Sequence, residues 1–174
     1  MSPSRVRPDS TRARRVALAR LGALALSGAL GPAARAQGGA ETLGRVEDLR
    51  ALAARLTKER RPLLLFFSTP GCPYCALVRR SYLAPRVLDG GRSGVLIREV
   101  DITSSRSFVG LDGRRISESA FAAGYNVRMV PVVLLVDAAM KPLADPLVGI
   151  GAADFYEAFL VEAIETASRR MRGG

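Results

Sequence analysis

Residues 63–67 are an unbroken apolar run, Leu-Leu-Leu-Phe-Phe, and this run most restricts what the chain can fold into. Five consecutive apolar residues fit a β-strand buried on both faces, which occurs where helices cover both sides of a sheet. Residues 130–136, Val-Pro-Val-Val-Leu-Leu-Val, repeat the pattern with a proline near the start. The sequence therefore predicts a layered α/β domain.

Segments with apolar residues at helical spacing alternate with the strand-like runs. The predicted order is helix 45–60, strand 63–67, helix 72–83, strand 95–101, irregular 102–115, helix 117–124, strand 130–136, strand 143–149 and helix 152–170. Pro85 is expected to limit the second helix. The buried stripe of the last helix is expected to contain Phe155, Phe159, Leu160, Ala163, Ile164 and Ala167. This alternation predicts a small mixed β-sheet flanked by helices on both faces.

The net charge of +10 does not by itself indicate a nucleic-acid-binding protein. Residues 1–36 contain seven arginines and one aspartate, so they carry +6 of that charge and the rest of the chain only +4. An excess of that size affects solubility more than the choice of partner. The chain also has no tryptophan and no interleaving of aromatic and basic residues, so we expect no nucleic-acid partner.

The chain contains two cysteines and no histidine. The absence of histidine excludes Ser–His and Cys–His nucleophile pairs and general acid–base catalysis by histidine. Two cysteines alone cannot complete a tetrahedral zinc site, and the four methionines are dispersed. No stable metal is expected.

Residues 1–36 have the three-part pattern of a secretory signal peptide. Five arginines precede an apolar stretch at 16–30, and Ala34-Arg35-Ala36 follows as a small-x-small cleavage pattern. A membrane anchor is the alternative, but the apolar stretch is shorter than the about 20 residues that span a bilayer. We expect cleavage near Ala36.

The remaining chain divides into three parts. Residues 37–44 are expected to be a flexible lead-in, 45–170 the folded domain and 171–174 a tail. Arg14-Arg15 leaves open whether export follows the general secretory or the twin-arginine route. An exported protein works outside the cytoplasm, where disulfides form and persist.

The motif Cys72-Pro73-Tyr74-Cys75 follows the buried strand and opens the next helix, and in this context C-x-x-C is a redox motif. Free backbone N–H groups and the helix dipole at the helix N-terminus are expected to lower the thiol pKa of the first cysteine. Its thiolate attacks a client disulfide, and the second cysteine, one helical turn on, resolves the mixed disulfide. Cys72 is thus predicted as the nucleophile and Cys75 as the resolving thiol, with Pro73 and Tyr74 tuning the potential.

Two other interpretations of the cysteine pair are weaker. A structural disulfide between them would close a very short loop and constrain the unfolded chain little. A metal site would lack ligands. Among the charged residues, Arg79 and Arg80 are expected on a solvated helix face, and the scattered aspartates and glutamates indicate no carboxylate pair.

The order of these features resembles the thioredoxin superfamily over about residues 62–165. The strand, the Cys-Pro-Tyr-Cys motif, a strand ending at Asp101 and the segment Tyr-Asn-Val-Arg-Met-Val-Pro at 125–131 occur in the family's order. Thioredoxins have a similar Tyr-Gly-Ile-Arg-x-Ile-Pro segment whose proline is cis and lies beside the active-site thiols. The resemblance implies that the Val130–Pro131 bond is cis and that Val130 and Pro131 bind a client strand. Without the resemblance, the sequence indicates only that Pro131 starts a strand, which is a permitted place for proline.

The sequence departs from the family pattern at three positions. Gly71 replaces the tryptophan before the first cysteine, Phe66 replaces a buried aspartate, and Ile97 replaces a nearby lysine. The proton relay to the resolving thiol is therefore expected to be missing or to use water. The Pro-Tyr dipeptide between the cysteines is that of glutaredoxins, which have a Gly-Gly glutathione site soon after the proline. Here Gly149-Ile150-Gly151 lies beyond a hairpin, so glutathione dependence is not expected.

The leader and the extra segment 102–124 are most similar to exported thioredoxin-like proteins of the sulfur-oxidation (SoxW-like) type. The resemblance implies a periplasmic thiol–disulfide oxidoreductase that reduces or exchanges disulfides on exported proteins. It implies no cofactor beyond the redox-active Cys72–Cys75 disulfide, and a membrane thiol electron donor as a partner. The alternatives are a net disulfide oxidase and a thioredoxin-fold binding or chaperone module without turnover.

Overall fold

The computed structural model describes residues 43–89, 92–151 and 153–173. The predicted signal peptide and residues 37–42 of the lead-in lie outside the described residues. The described helices and strands are, in chain order, α1 (Leu49–Glu59), β1 (Leu63–Ser68), α2 (Pro73–Val78), α3 (Ala84–Leu88), β2 (Leu96–Asp101), β3 (Ser107–Val109), β4 (Arg115–Ser117), α4 (Glu118–Gly124), β5 (Val132–Val136), β6 (Leu147–Val148) and α5 (Ala153–Gly173).

Four strands form one mixed sheet in the order β2-β1-β5-β6. β2 runs parallel to β1, whereas β5 is antiparallel to both β1 and β6. All six residues of β1 are buried, as expected for the central position of this strand. The mixed sheet with helices on both faces confirms the predicted fold class.

The side chains of β1 alternate between two hydrophobic cores, one on each face of the sheet. Leu64 and Phe66 lie in the core beneath α2 and α5, together with Cys75. Leu65 and Phe67 lie in the opposite core, beneath α1 and α4. The two-residue period of the strand therefore divides one apolar run between two layers.

The buried stripe of α5 is confirmed at Leu160, Ala163, Ile164 and Ala167 but differs from the prediction in the first turns of the helix. Phe155 and Phe159, expected in the core, are exposed, whereas Tyr156 and Leu160 are buried. Both sets recur at i, i+4 on adjacent faces of one helix, so the spacing alone fits either choice. The helix also continues through residues 171–173, which were expected to be a tail.

The helical segment that follows the cysteine pair is longer than predicted. A π-helical turn at Arg79–Leu83 joins α2 to α3, so helical backbone continues past Pro85 to Leu88. Pro85 is the second residue of α3, directly after the π-helical turn, so the helical backbone runs past the proline that was expected to limit it.

The segment before α1 is extended rather than helical. Asp48 caps α1 by accepting hydrogen bonds from the backbone N–H groups of residues 50 and 51, so the helix begins later than predicted. Upstream of the cap, Arg45 forms a parallel bridge with Glu99, and the Glu99 N–H donates to the Gly44 carbonyl at 2.9 Å. Leu43 is buried, so Leu43 and Gly44 belong to the folded domain and not to a flexible lead-in.

The extra segment contains a hairpin that was not predicted. β3 and β4 pair antiparallel, with Phe108 opposite Ile116. Each strand is only three residues long, so the strands carry almost no periodic signal.

A buried glutamate attaches this segment to the rest of the domain. Glu118 begins α4, has no exposed side-chain surface, and forms ion pairs with Arg45 and Arg106. Burial acts to lower the pKa of Arg45, but the hydrogen bond and charge of Glu118 outweigh it and hold that pKa above its ordinary value. These pairs join the segment before α1 to the hairpin and α4.

The last two strands are shorter than predicted. β5 begins at Val132 rather than at residue 130, and β6 comprises only Leu147–Val148. Pro146 directly precedes β6, and proline cannot donate a ladder hydrogen bond. Within the described residues, no helix is both long and apolar enough to cross a bilayer.

We expect Leu160→Ala to lower the free energy of unfolding by about 2–5 kcal/mol, because this side chain is fully buried beneath the sheet. Phe159→Ala is the matched control, since 55% of its surface is exposed, and we expect a change below about 1 kcal/mol. Urea unfolding followed by circular dichroism measures both. A larger loss for Phe159→Ala would contradict the observed orientation of α5.

Candidate functional site

The loop from β1 to α2 brings Cys72 to the start of the helix. β1 ends at Ser68, and the Cys72 N–H donates to the Thr69 carbonyl at 3.4 Å, which closes a tight turn. Gly71 has φ +75°, in the left-handed region that side-chain-bearing residues avoid. The glycine at the family's tryptophan position therefore provides a backbone conformation that this turn requires.

Cys72 and Cys75 form a disulfide, with their Cα atoms 5.2 Å apart. Cys72 is the N-cap residue of α2, and its Sγ accepts a hydrogen bond from the Cys75 N–H at 3.1 Å. Cys72 is partly exposed, whereas Cys75 has no exposed surface. Cys72 is therefore the more accessible cysteine of the pair.

The two residues between the cysteines lie on the outer side of the helix start. Pro73 is the first residue of α2, where its missing N–H is not needed. Tyr74 is 60% exposed and presents a large apolar surface next to Cys72. Their effect on the reduction potential stays a prediction.

The Val130–Pro131 peptide bond is cis, as the resemblance implied. Val132 pairs with Phe67, so Pro131 lies alongside the end of β1, from which the chain continues to Cys72. Cys72 and Val130 both pack, partly buried, against the core that contains Cys75. The fold thus brings together two segments that are more than fifty residues apart in sequence.

Tyr125 anchors the loop that carries the cis proline. Its hydroxyl donates to the Met140 carbonyl at 2.7 Å, and its ring packs against Phe67 and Phe121. Burial, with a smaller contribution from the negative charge of Asp137, raises the pKa of Tyr125 to about 12. The hydroxyl therefore remains a hydrogen-bond donor at neutral pH.

Sequence reasoning missed a buried polar cluster on the same face of the sheet as Cys75. Ser68 donates to Glu99 Oε1 at 2.5 Å, and Arg79 Nε lies 3.2 Å from each Glu99 carboxylate oxygen. Ser68 and Glu99 are buried, and the Arg79 side chain is only 25% exposed, so Arg79 does not lie on a solvated face as predicted. Arg80 is exposed as predicted.

Two sequence signals point to this cluster once they are combined. Arg79 follows Cys75 by four residues, so it lies one turn further along the same helix face. Glu99 alternates with Ile97 in a buried strand, which is an unusual place for a carboxylate without a cationic partner. Phe66 and Ile97 themselves lie in the core with Cys75, so apolar side chains occupy the family's aspartate and lysine positions.

Within the described residues, no group of three or more cysteine, aspartate or glutamate side chains is arranged to hold a metal ion.

The sequence model of the thioredoxin-like domain matches residues 49–164. The chain belongs to the thioredoxin-like domain family. That match includes the cysteine pair, the cis proline and the buried polar cluster. The family and the close cysteine pair together make this protein a thiol–disulfide oxidoreductase of thioredoxin-like type.

Several solved structures are similar to the thioredoxin-like chain. A thioredoxin-fold protein from Helicobacter pylori shares 19% identity, with 65% of this chain and 81% of that chain covered and a TM-score of 0.44. A mutant thioredoxin from Halobacterium salinarum shares 20% identity, covering 74% and 92%, with a TM-score of 0.46. The periplasmic thioredoxin SoxS from Paracoccus pantotrophus shares 23%, covering 62% and 99%, with a TM-score of 0.41. No curated protein matches significantly in sequence.

We expect Gly71→Ala to lower the free energy of unfolding by about 1–2 kcal/mol, because alanine is strained at positive φ although no atom lies within 4 Å of the added Cβ. Gly124→Ala is the control: its surroundings are equally open, its φ is not in the left-handed region, and alanine favours the helix. Urea unfolding of the oxidised proteins compares the two. Equal stability would contradict the assigned role of Gly71.

Proposed function

We propose that this thioredoxin-like protein reduces or exchanges disulfides on exported proteins, with Cys72 as the attacking thiol and Cys75 as the resolving thiol. The observation that carries the proposal is the difference in exposure between the sulfurs of one disulfide: Cys72 is accessible, and Cys75 is fully buried one helical turn away. Such a pair lets a client form a mixed disulfide with one cysteine only, while the second cysteine is already in place to displace it.

The reaction begins with the reduced pair. The Cys72 thiolate attacks one sulfur of a client disulfide, forms a Cys72–client bond, and releases the other client sulfur, which takes up a proton. The Cys75 thiolate then attacks Cys72 Sγ and releases the remaining client sulfur as a thiol. Two electrons pass to the client, and the Cys72–Cys75 disulfide remains.

The N-terminal end of α2 favours the first of these steps. The helix dipole stabilises negative charge there, and the Cys75 N–H points at Cys72 Sγ. The same environment makes Cys72 a better leaving group in the reverse of the first step, when a thiolate attacks the client sulfur of the mixed disulfide.

The cis-proline segment is the proposed binding surface for the client backbone, through Val130 and Pro131. Two exposed apolar side chains belong to the segments that meet here: Tyr74 follows Pro73, and Met129 directly precedes Val130. Met129 and Val148 also border a cleft of about 430 Å³ between the loop that carries the proline and β6. Extended, apolar client segments fit such a surface better than small polar thiols.

The proposed location is the periplasm after cleavage near Ala36, and its support is the signal-like sequence of residues 1–36. An oxidising compartment holds no general pool of reduced thiols. A reductase there needs an external source of electrons, and we propose a membrane thiol carrier.

Substituting each cysteine separately tests the two roles. We expect Cys75→Ser to accumulate a mixed disulfide with a reporter protein that contains one accessible disulfide, because Cys72 attacks and nothing resolves the product. Cys72→Ser should trap no reporter, because Cys75 is buried. Non-reducing electrophoresis and mass spectrometry of the adducts provide the measurement. Trapping through Cys75 would reverse the assignment, and unchanged reporter binding without any exchange would favour a chaperone.

The direction of the reaction follows from the reduction potential of the pair. We expect a value of about −270 mV, that of thioredoxin, for a reductase. A value of about −120 mV, that of a strong periplasmic oxidant, would mean that the protein donates disulfides instead. Equilibration in a series of thiol–disulfide buffers that covers both values, with trapping of free thiols, measures the potential.

A further inference from the structure

The buried cluster of Arg79, Glu99 and Ser68 has no part in the exchange reaction described above. Glu99 lies on β2 and faces α2, where it accepts hydrogen bonds from Arg79 on the helical segment and from Ser68 at the end of β1. It therefore links three elements that surround the cysteine pair. Buried ion pairs contribute little net stability, because desolvation offsets their attraction. A buried ion pair beside a redox site is therefore better explained by the effect of its charges on the cysteines than by a contribution to stability.

Arg79 lies on the same helix face as the buried cysteine. The Arg79 backbone N–H donates to the Cys75 carbonyl, so the two residues are one turn apart on the same helix face. The guanidinium carbon lies 5.7 Å from the centre of the Phe66 ring, and Phe66 shares a core with Cys75. Apolar surroundings of this kind screen charge poorly, so a change of charge on the cluster acts strongly on a nearby thiolate.

The other charged group on this face of β2 has its own partners. Asp101 lies two residues beyond Glu99, and its Oδ1 accepts hydrogen bonds from the Thr103 N–H at 2.9 Å and hydroxyl at 2.8 Å. The Glu99 carboxylate is thus the anion that neutralises Arg79.

We propose that the Arg79–Glu99 pair sets the reduction potential of the Cys72–Cys75 disulfide, with Glu99 offsetting the stabilisation that Arg79 alone would give to a cysteine thiolate. This inference rests on the proposed function. The two residues are positioning residues, because they act through their charge and through the orientation of α2 without contacting the client.

The direction in which each substitution changes the reduction potential follows from the charge that remains. Glu99→Gln leaves an uncompensated cation near the thiols, which stabilises the thiolate and hence the reduced form, so the potential becomes less negative. Arg79→Gln leaves an uncompensated carboxylate, which disfavours the thiolate and makes the potential more negative. The double variant removes both charges and returns the potential towards that of the wild type.

The experiment equilibrates each protein with glutathione and glutathione disulfide and measures the oxidised fraction by thiol trapping. Two glutathione thiols reduce one Cys72–Cys75 disulfide, which gives two cysteine thiols and one glutathione disulfide. We expect each single substitution to change the equilibrium constant about tenfold, or about 30 mV, in opposite directions. Arg80→Gln is the matched control, because it removes a neighbouring exposed arginine, and it should leave the constant within about twofold of the wild type.

Opposite shifts that cancel in the double variant support the proposal, because a general loosening of the structure would move both single variants in the same direction. Shifts of the same sign, or a Glu99→Gln constant equal to that of the wild type, overturn it. If Arg79→Gln does not fold, Glu99→Gln and the double variant still test the proposal. The equilibrium constant of Glu99→Gln should differ from that of the wild type, whereas that of the double variant should not. A wild-type pair that never equilibrates with glutathione, although it folds, argues instead against the proposed function.

Discussion

The burial of β1 on both faces is the constraint on which the rest of the structure depends. Its side chains alternate between two cores, so α2 and α5 must cover one side of the sheet while α1 and α4 cover the other. The strand ends where the apolar run ends, and the turn at Gly71 then begins a helix whose inner face continues the first core. The same strand pairs with β5 and so fixes the position of Pro131. One apolar run thereby places both parts of the site.

The sequence predicted the features that rest on strong and periodic signals. Long apolar runs indicated the central strands, and the C-x-x-C motif after a strand indicated the redox site and its helix. Predictions from weaker signals were wrong where two orientations of one helix fit the same residue spacing. Phe159 and Leu160 are adjacent apolar residues on one helix, and only the tertiary packing decides which of them is buried. The β3–β4 hairpin was missed because strands of three residues are too short to show a period.

The charged cluster was missed for a different physical reason. Arg79 and Glu99 are twenty residues apart and belong to different elements, so neither residue indicates the other until the helix is placed on the sheet. A single arginine on a helix is most often solvated, and a single glutamate in a strand most often faces water. What changes both expectations is that β2 lies directly beside β1, which brings Glu99 opposite Phe66 and beneath the helix.

The different exposures of the two sulfurs follow from helix geometry rather than from any special interaction. Cys72 is the N-cap, so it lies at the end of the helix and is only partly covered. Cys75 is one turn further on, and the position that brings its sulfur within bonding distance of Cys72 also turns it towards the sheet and Phe66. Any residue one turn beyond Cys75 on that face must also meet the sheet. In this chain that residue is Arg79, a buried arginine there needs an anion, and Glu99 provides it.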